Sequence, residues 1–348
     1  MGADCKSAGY AFSGSNPLPT TSSQFTSQVR KIMYPISQCS LELVEQAASK
    51  LRGGAVVAFP TETVYGLGVD AENESAVARM YEIKGRPGDH PVIVHIADIN
   101  EVNYWASEIP EYAIALMRKF WPGPMTLILP RSENAKDFVT GGQDFVGIRI
   151  PSNSVALNLL RSFTRFGGHG IAAPSANRFG SVSPTSAKDV AEEVGDLLAK
   201  EDLILDGGDC EIGVESTIID CSRALPRILR LGAITEEMIK EVTPIDLDND
   251  LTEIRVSGSL TRHYSPKARV VIDGDVNPGD GFIAMGDIET PKGAIRLTAP
   301  NSINDYGRFL YGAFRSGDAQ KLARIVVIPP TGDGLAAAIR DRISRASA

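Results

Sequence analysis

The chain has 348 residues, a length that favours two domains over a single core. With 43% hydrophobic and 22% charged residues, its composition is ordinary for a soluble globular protein, and no apolar run approaches the length of a membrane span. The net charge of -8 argues against a protein whose main role is to bind nucleic acid, although it leaves room for a local basic cleft.

The four cysteines form no CxxC pair and have no histidine cluster near them, so a zinc site is not expected. So few cysteines in a long chain also argue against a disulfide framework. A reducing cytosol is then the default, and the sequence predicts a cytoplasmic protein.

The first stretch of the chain, residues 1–35, is interpreted as a disordered N-terminal extension. Residues 1–31 are rich in Ser, Thr, Gly and Pro, and Asp4 is their only acidic residue. Such a composition cannot bury enough apolar surface to fold by itself. A misassigned start, with Met33 as the initiator, belongs to the same interpretation. An organelle transit peptide is the alternative, because such peptides are Ser-rich and acid-poor.

Residues 36–242 show the periodicities of a domain that mixes strands and helices. Helices are predicted at 40–52, 74–83, 110–120, 153–163 and 187–198. Short apolar strands are predicted at 55–59, 91–96, 125–129, 146–150, 170–173, 203–206, 216–220 and 227–230. Because strands and helices do not alternate strictly, we predict an α/β or α+β domain with a twisted mixed sheet.

Residues 243–267 are predicted to be a linker, because residues 241–253 are acidic with little apolar periodicity and residues 257–267 (SGSLTRHYSPK) are polar. Residues 268–348 again show the patterns of short strands and helices, and these predict a small α/β domain with a parallel sheet. Its strands are predicted at 269–272, 281–285, 294–297 and 323–328, and its helices at 302–315 and 334–347.

The standard nucleotide and nucleophile motifs are missing from the sequence, which has no GxxxxGK[ST] loop, no complete GxGxxG and no GxSxG elbow. Polar clusters follow the predicted strands instead. PTETVYGLG at 60–68 suits either the binding of a small polar ligand or an N-capped turn. KGRP at 84–87, followed by His90 and His95, suits either a polyphosphate clamp or favourable charge at a helix C-terminus.

Later clusters add to these two: RIP at 149–151, PSAN at 174–177 followed by Ser183, GVEST at 213–217 and RLG at 230–232. Each alone is a weak signal, because an arginine at a strand end is usually part of a surface salt bridge. Together they place cationic, hydroxyl and amide groups where an α/β sheet tends to hold its ligand.

Seven motifs follow one another along about residues 36–242: FPTETVYGLG, KGRP…HPVIVHI, FWPGPMTLIL, VGIRIP, APSAN…GSVSPT, GVESTIID and ILRLGAIT. In this order they resemble the YrdC-type threonylcarbamoyl-AMP synthase family. The HYSP segment and residues 268–348 resemble the longer, two-domain form of that enzyme. The resemblance implies a YrdC-like α/β domain whose sheet surrounds a concave cleft, and a small Rossmann-like C-terminal α/β domain.

The resemblance further implies an enzyme, a nucleotidyltransferase that converts L-threonine, bicarbonate and ATP into threonylcarbamoyl-AMP, pyrophosphate and water. A separate tRNA threonylcarbamoyl transferase complex would pass the group to an adenosine next to the anticodon. Weak or no direct tRNA binding is therefore expected, in agreement with the acidic net charge. Magnesium is expected with ATP, bound through phosphate oxygens and water, and no metal-ligating side chains are predicted.

Two groups of site residues follow from the resemblance. The threonine and carbamate pocket is assigned to Thr63, His95, Arg149, Ala173 and Ser216. ATP binding is assigned to Arg86, His90, Ser175, Asn177, Ser183, Arg230 and Tyr264. Lys84 and Arg86 are the expected catalytic residues, with Lys84 paired to phosphate oxygens. His263 and Tyr264 would close over the nucleotide as a lid.

The sequence departs from the family pattern at His90, where KGRPxxNP usually has Asn, and in the linker motif. There Ser257, Ser259 and Thr261 replace Pro, Met and Tyr. A histidine at position 90 can still donate to a phosphate or ribose, but that contact would depend on pH.

Two other functions compete with the synthase. A non-catalytic RNA-binding module of the same fold would bind tRNA or duplex RNA with a steep salt dependence, and the acidic net charge counts against it. A related carbamoyl transferase or hydrogenase-maturation module ranks last, because the sequence lacks the zinc-finger-like cysteine sets and the acylphosphatase-like segment of such chains.

Overall fold

The structure, a computed structural model, describes residues 34–248, 254–258 and 262–348. The predicted extension at 1–35 thus lies outside the described residues except for its last two positions, and so do residues 249–253 and 259–261 of the predicted linker. We call residues 34–248 the first region, residues 254–258 the linker segment and residues 262–348 the second region. Among the described helices, none is long and apolar enough to cross a membrane.

The first region holds one large sheet and the helices that cover it. Its strands are β1 Ser37–Gln38, β2 Val57–Phe59, β3 Gly66–Asp70, β4 Ile93–His95, β5 Met125–Pro130, β6 Phe145–Arg149, β7 Ile171–Ala172, β8 Leu203–Asp206, β9 Thr217–Asp220 and β10 Arg227–Arg230. Its helices are α1 Leu41–Arg52, α2 Glu74–Lys84, α3 Val102–Trp105, α4 Glu111–Phe120, α5 Asp137–Thr140, α6 Ser154–Arg165, α7 Ala187–Val194 and α8 Glu236–Val242. Short 3₁₀ turns lie at Ile99–Glu101 and Gly195–Leu197.

The strands of the large sheet run in the order β1-β8-β2-β3-β7-β4-β6-β5-β9-β10. Parallel pairing joins β8 to β1 and β2, β4 to β6, and β5 to β9. The other neighbouring pairs are antiparallel. The predicted mixed sheet is therefore confirmed.

Helices cover both faces of this sheet, because alternate residues of its buried strands point to opposite sides. Val57 and Phe59 of β2 pack with α1 and α6, where apolar residues at helical spacing, among them Leu51, form the buried face. Val56 and Ala58 belong to the core on the other side, which includes residues of α2, α4 and α7. Strands covered on both faces account for the continuous apolar runs of the sequence.

Strand β3 is the main element that the sequence interpretation missed, since residues 60–68 were expected to form a loop. Its Gly68 is required by close packing and does not mark a turn. A Cβ on Gly68 would lie 2.7 Å from Cε1 of Phe59 and 2.8 Å from Cγ2 of Ile171. Only a residue without a side chain lets β3 pass between its neighbours β2 and β7. Helix α8 was also not predicted, because its composition resembles that of the linker that follows.

The second region contains a smaller sheet and two helices. Its elements are β11 Arg269–Ile272, β12 Gly281–Ile283, β13 Ile295–Thr298, α9 Ile303–Ala319, β14 Arg324–Val327 and α10 Leu335–Ser347. The strand order is β11-β14-β12-β13 and every pair is parallel, as predicted. Helix α9 ends four residues later than predicted, because Gly317 is buried against Ile325 of β14 instead of ending the helix. The domain boundaries at 242 and 268 stay predictions.

The second region packs directly against loops of the first region. Gly213 has a φ of +77°, and a Cβ there would lie 2.4 Å from the carbonyl oxygen of Gly307 and 2.5 Å from Cα of Arg308. The loop that leads into β9 therefore touches the backbone of α9. In addition, the backbone N–H of Ser265 donates to the carbonyl of Gly180 at 3.0 Å.

Candidate active site

A cleft of about 780 Å³, counting space open to solvent, lies where loops of the first region meet the linker segment and the start of the second region. It brings together every predicted site residue except one. The predicted residues that line it are Thr63, Lys84, Arg86, His90, His95, Arg149, Ala173, Ser175, Asn177, Ser216, Arg230 and Tyr264. Ser183 is not among the lining residues: it is fully buried, and its hydroxyl donates to Oε1 of Glu215 at 2.7 Å.

Local structure explains why these residues converge. His95 and Arg149 are register partners at the carboxyl ends of the parallel strands β4 and β6, so both side chains reach the same edge of the sheet. Arg86 follows the end of α2, where Gly85 adopts the left-handed conformation, with φ of +61°, that commonly ends a helix. The end of α2 and the ends of β4 and β6 thus place a lysine, two arginines and a histidine in one cleft.

Arg149 is held by the loop after β2. Its guanidinium donates to Oε1 of Glu62 at 2.6 Å and to Oγ1 of Thr63 at 2.9 Å. The Thr63 hydroxyl lies 2.8 Å from that of Thr61, which also donates to the carbonyl of Val64. Arg149 and both threonines are buried, so this corner of the cleft is a pre-positioned set of a cation and hydroxyl groups.

His95 lies buried beside that corner. Burial and the nearby Arg149 guanidinium lower the pKa of His95 to about 3, so its imidazole is neutral at physiological pH. Its Nδ1 has no hydrogen-bond partner among the described residues. A neutral ring with an unpaired nitrogen is available to hydrogen-bond a ligand without adding charge.

Lys84 and Arg86 form the basic end of the cleft. The Lys84 ammonium donates to the carbonyls of Ser175 at 2.5 Å and Asn177 at 2.6 Å, and burial followed by the Arg86 charge lowers its pKa well below the usual value. Arg86 donates to the carbonyl of Pro91 at 2.7 Å, and burial lowers its pKa as well. An anion in the cleft would favour the charged form of both groups.

Arg230 joins the end of β10 to the start of β9 and to the linker segment. Its guanidinium donates to the Ser216 hydroxyl at 3.0 Å and to the carbonyls of Ser216 at 3.0 Å and Ser257 at 2.9 Å. The Ser216 hydroxyl also lies 2.7 Å from that of Thr126. One arginine thereby fixes a hydroxyl in the cleft and a segment that covers it.

The aromatic residues predicted for the lid lie in the wall of the cleft. Tyr264 is buried, has a φ of +61°, and its ring contacts that of His263 edge to face at 4.0 Å. Its hydroxyl has no hydrogen-bond partner among the described residues. Burial lowers the pKa of His263 to about 4.

His90 also lines the cleft, with its ring 5.5 Å from that of Phe179, and burial lowers the pKa of His90 too.

Several lining or supporting residues were not assigned from the sequence: Thr61, Glu62, Phe179, Glu215 and Ser257. Most of them had a signal. Thr61 and Glu62 belong to the PTETVYGLG cluster and Glu215 to GVEST, while Ser257 stands at a departure from the linker motif. Its hydroxyl accepts from Arg86 at 3.2 Å, so the departure supplies a contact of its own. Phe179 carried no signal, because an aromatic residue in a loop resembles any packing residue.

Two family models match consecutive parts of the chain. Residues 49–232 match the Sua5/YciO/YrdC model, described as telomere recombination, and residues 234–348 match the model described as threonylcarbamoyl-AMP synthase, C-terminal domain. The first match alone covers more than half of the chain. The chain belongs to the Sua5/YciO/YrdC family.

Curated relatives and a solved structure agree with membership of the Sua5/YciO/YrdC family. Threonylcarbamoyl-AMP synthase of Bacillus subtilis is 40% identical over 329 residues, which cover 87% of this chain and 92% of the relative. The enzyme of the same name from Pyrococcus abyssi is 46% identical over 232 residues, 65% of this chain and 66% of the relative. A crystal structure of P. abyssi Sua5 complexed with L-threonine matches with a TM-score of 0.80 and 35% identity, covering 90% of this chain and 97% of the other.

Proposed function

We propose that the protein is an L-threonylcarbamoyl-AMP synthase, which condenses L-threonine, bicarbonate and ATP to threonylcarbamoyl-AMP, pyrophosphate and water. Support comes from the relatives that carry this name and from the match to a Sua5 structure complexed with L-threonine. The product would supply the threonylcarbamoyl group for tRNA through a separate transferase complex.

The observation that carries the proposal is the cluster of unsatisfied polar atoms in one cationic cleft. Arg86 Nε, His95 Nδ1, Asn177 Oδ1 and Tyr264 Oη are buried, and they have no hydrogen-bond partner among the described residues. Buried polar groups are otherwise almost always paired. Lining cations such as Arg230 stand beside them. A ligand that carries both anionic groups and hydrogen-bond donors would satisfy the donors, the Asn177 oxygen, which is an acceptor, and the positive charge.

The threonine and its carbamate are proposed to bind at Thr63, His95, Arg149, Ala173 and Ser216. The Arg149 guanidinium suits a carboxylate, which it can meet with paired N–H donors. The hydroxyls of Thr63 and Ser216 suit the threonine hydroxyl, because a site that hydrogen-bonds a substrate hydroxyl rejects analogues without one. Neutral His95 would hydrogen-bond the substrate without attracting a second anion.

ATP is proposed to bind at the basic end, with the triphosphate at Lys84, Arg86 and Arg230. Ser175, Asn177, His90 and Tyr264 would surround the rest of the nucleotide, and Ser183 would support the site from behind through Glu215.

The reaction needs positioning and charge stabilisation more than a protein nucleophile. The threonine amine and bicarbonate form a carbamate with loss of water. A carbamate oxygen then attacks the α-phosphorus, and pyrophosphate leaves. Each reactant is anionic, so the role of Lys84, Arg86 and Arg149 is to hold the anions in line and to stabilise the charge that develops. This makes the enzyme a nucleotidyltransferase in the sense that AMP is transferred to the carbamate.

Magnesium is proposed to enter with the triphosphate. The described residues contain no group of three or more His, Cys, Asp or Glu side chains placed to hold a metal ion. Glu215, a carboxylate of the lining, already accepts hydrogen bonds from Ser183, Tyr311 and Arg342. The donor set therefore fits the phosphates, and the ion would be held by phosphate oxygens and water.

Cytoplasmic location and weak or absent tRNA binding are part of the same proposal. The small number of cysteines supports the location. The acidic net charge supports weak or absent tRNA binding, because tight nucleic-acid binding usually requires a basic surface. The RNA-binding alternative predicts tight binding to tRNA with a steep salt dependence and no turnover of ATP.

Release of pyrophosphate from ATP by the purified full chain tests the proposal. We expect release only when threonine and bicarbonate are both present, with valine a poor substitute for threonine. Release that is independent of threonine, or none at all, would refute the synthase. Titration of labelled tRNA at two salt concentrations then decides whether the RNA-binding alternative takes its place.

A further inference from the structure

Glu215 of the cleft is paired with a residue at the far end of the chain. Oε2 of Glu215 accepts from Nε of Arg342 in α10 at 2.8 Å and from the hydroxyl of Tyr311 in α9 at 3.0 Å. Arg342 is completely buried, and it also donates to the carbonyl of Leu231 at 2.8 Å. Helix α10 thus contacts the wall of the cleft through the buried ion pair of Arg342 with Glu215, and Arg342 forms a second ion pair with its neighbour Asp341 at 2.6 Å.

The carboxylate of Glu215 carries its charge inside that wall. Burial by itself would raise its pKa, but Arg342 and then Arg230, together with the hydrogen bond from Ser183, lower it to about 2. Glu215 lines the same cleft as Lys84 and Arg86. A buried carboxylate at this place would repel a polyanionic ligand, because charges interact strongly where water is excluded.

We infer that Arg342 is a positioning residue of the ATP site, which it serves by neutralising the Glu215 carboxylate in the cleft wall. The inference rests on the proposed binding of a triphosphate in this cleft. The second region then has a direct electrostatic role. Arg342 of α10 supplies the positive charge that offsets the Glu215 carboxylate, so that the cleft wall does not repel phosphate.

Arg342 also supports Tyr264, and this is the competing explanation for any effect of its loss. Its guanidinium lies 5.2 Å from the centre of the Tyr264 ring, which in turn stacks on Tyr311 at 5.8 Å. A cation under an aromatic ring stabilises its position. The two roles predict different results when both residues are changed. In a chain that lacks Arg342, replacing Glu215 by Gln removes the unpaired negative charge, but the Tyr264 ring still lacks its support.

The experiment compares four variants with the wild-type full chain: Arg342→Met, Arg342→Lys, Glu215→Gln and the double variant Glu215→Gln/Arg342→Met. Arg324→Met is the matched control, because Arg324 pairs with Asp280 at 2.5 Å within the second region and does not line the cleft. KM for ATP, KM for threonine and kcat are measured for each, and the affinity for a non-hydrolysable ATP analogue is measured by calorimetry without turnover.

Charge neutralisation predicts that Arg342→Met raises KM for ATP and Kd for the analogue about tenfold, equivalent to about 1.4 kcal/mol, while KM for threonine changes less than about threefold. Arg342→Lys and the double variant should return Kd to within about threefold of wild type, and Arg324→Met should match wild type. An unchanged Kd in Arg342→Met, or no recovery in the double variant, overturns the inference.

Loss of one partner of a buried ion pair can prevent folding, so thermal unfolding is recorded for every variant. If Arg342→Met does not fold, the double variant Glu215→Gln/Arg342→Met decides the question, because it leaves no unpaired carboxylate at position 215. The inference predicts that its Kd for the analogue stays within about threefold of wild type, whereas a tenfold rise, as loss of support for the Tyr264 ring would give, overturns it. Analogue binding by a wild-type chain that fails to release pyrophosphate would count against the proposed reaction and still leave the inference testable.

Discussion

Arg149 and Glu62 form a buried ion pair in which the guanidinium lies 2.6 Å from the carboxylate. The second oxygen of Glu62 accepts from the backbone N–H of Ser152 at 3.0 Å, so the carboxylate ties the loop after β2 to the end of β6. A buried charge that loses its partner is costly, and the arginine is proposed to hold the threonine carboxylate. The pair therefore connects the stability of the protein to its substrate site.

We expect Glu62→Ala to lower the free energy of unfolding by about 3–5 kcal/mol, because it leaves Arg149 buried and uncompensated. KM for threonine should rise in the same variant, since the guanidinium loses its fixed position. Denaturant titration and steady-state kinetics measure the two effects. Glu45→Ala is the control: Glu45 pairs with Arg165 at 2.8 Å on the exposed surface, and its loss should cost less than about 1 kcal/mol. Equal stabilities of the two variants would contradict the prediction.

Arg86→Ala should remove most activity with little loss of fold. The guanidinium makes two hydrogen bonds, to Pro91 and Ser257, and is proposed to stabilise charge on the phosphates. Loss of one such stabilising group typically lowers kcat by about 10²–10³-fold. The variant is compared with Arg118→Ala, which changes an exposed arginine on α4. A wild-type rate of pyrophosphate release in Arg86→Ala would refute the assigned role.

Gly258→Ala should disturb the cleft through Tyr264. Gly258 has a φ of +86°, and a Cβ there would lie 2.3 Å from the Tyr264 hydroxyl, so the buried ring must move. We expect KM for ATP to rise, because Tyr264 is proposed to cover the nucleotide.

The matched control for that substitution is Gly279→Ala. Gly279 has nearly the same φ, +89°, but a Cβ there meets nothing within 4 Å. Both variants should therefore bear a similar backbone cost of about 1–2 kcal/mol, and only the one at position 258 should change the kinetics. Loss of activity of the same size in both would show that strain alone is responsible.

Stability should fall in mild acid because of two buried histidines. His95 and His263 have pKa values of about 3 and about 4 in the folded protein, below the usual value of 6.5. Below about pH 6.5 the unfolded chain binds protons that the folded chain does not, so the free energy of unfolding decreases as the pH falls towards 4. Each histidine contributes about 1.4 kcal/mol per pH unit in that window.

Urea titrations at pH 7.5, 6, 5.5 and 5 measure this slope, and His95→Gln should make it shallower by about one proton. The points stay at or above pH 5 because Glu215, with a pKa of about 2 in the folded state, adds its own loss of stability only below about pH 4.5. An unchanged slope in His95→Gln would contradict the assignment of a neutral imidazole.

Most elements of the fold could be predicted because their signals are local. Helix α1 was predicted from residue 40, and it begins at Leu41 because the Ser40 hydroxyl accepts from the backbone N–H of Leu43 as its cap. Strand β3 could not be predicted, because a glycine such as Gly68 usually indicates a turn. That it lies in a strand becomes clear only from Phe59 and Ile171, which pack against it in the folded protein. The same holds for Gly317 inside α9.

For the candidate site too, some features could be predicted from the sequence and others depended on the tertiary structure. The sequence by itself determined the family through the order of its motifs, and the resemblance to that family assigned about half of the residues that line the cleft. Only the tertiary structure decided that Ser183 stands behind the cleft and that Glu215 is paired with Arg342, 127 positions further along the chain. In the sequence, an arginine within a predicted helix indicates a solvated surface group. Its burial against a distant carboxylate depends on the packing of the two regions, which no local pattern predicts.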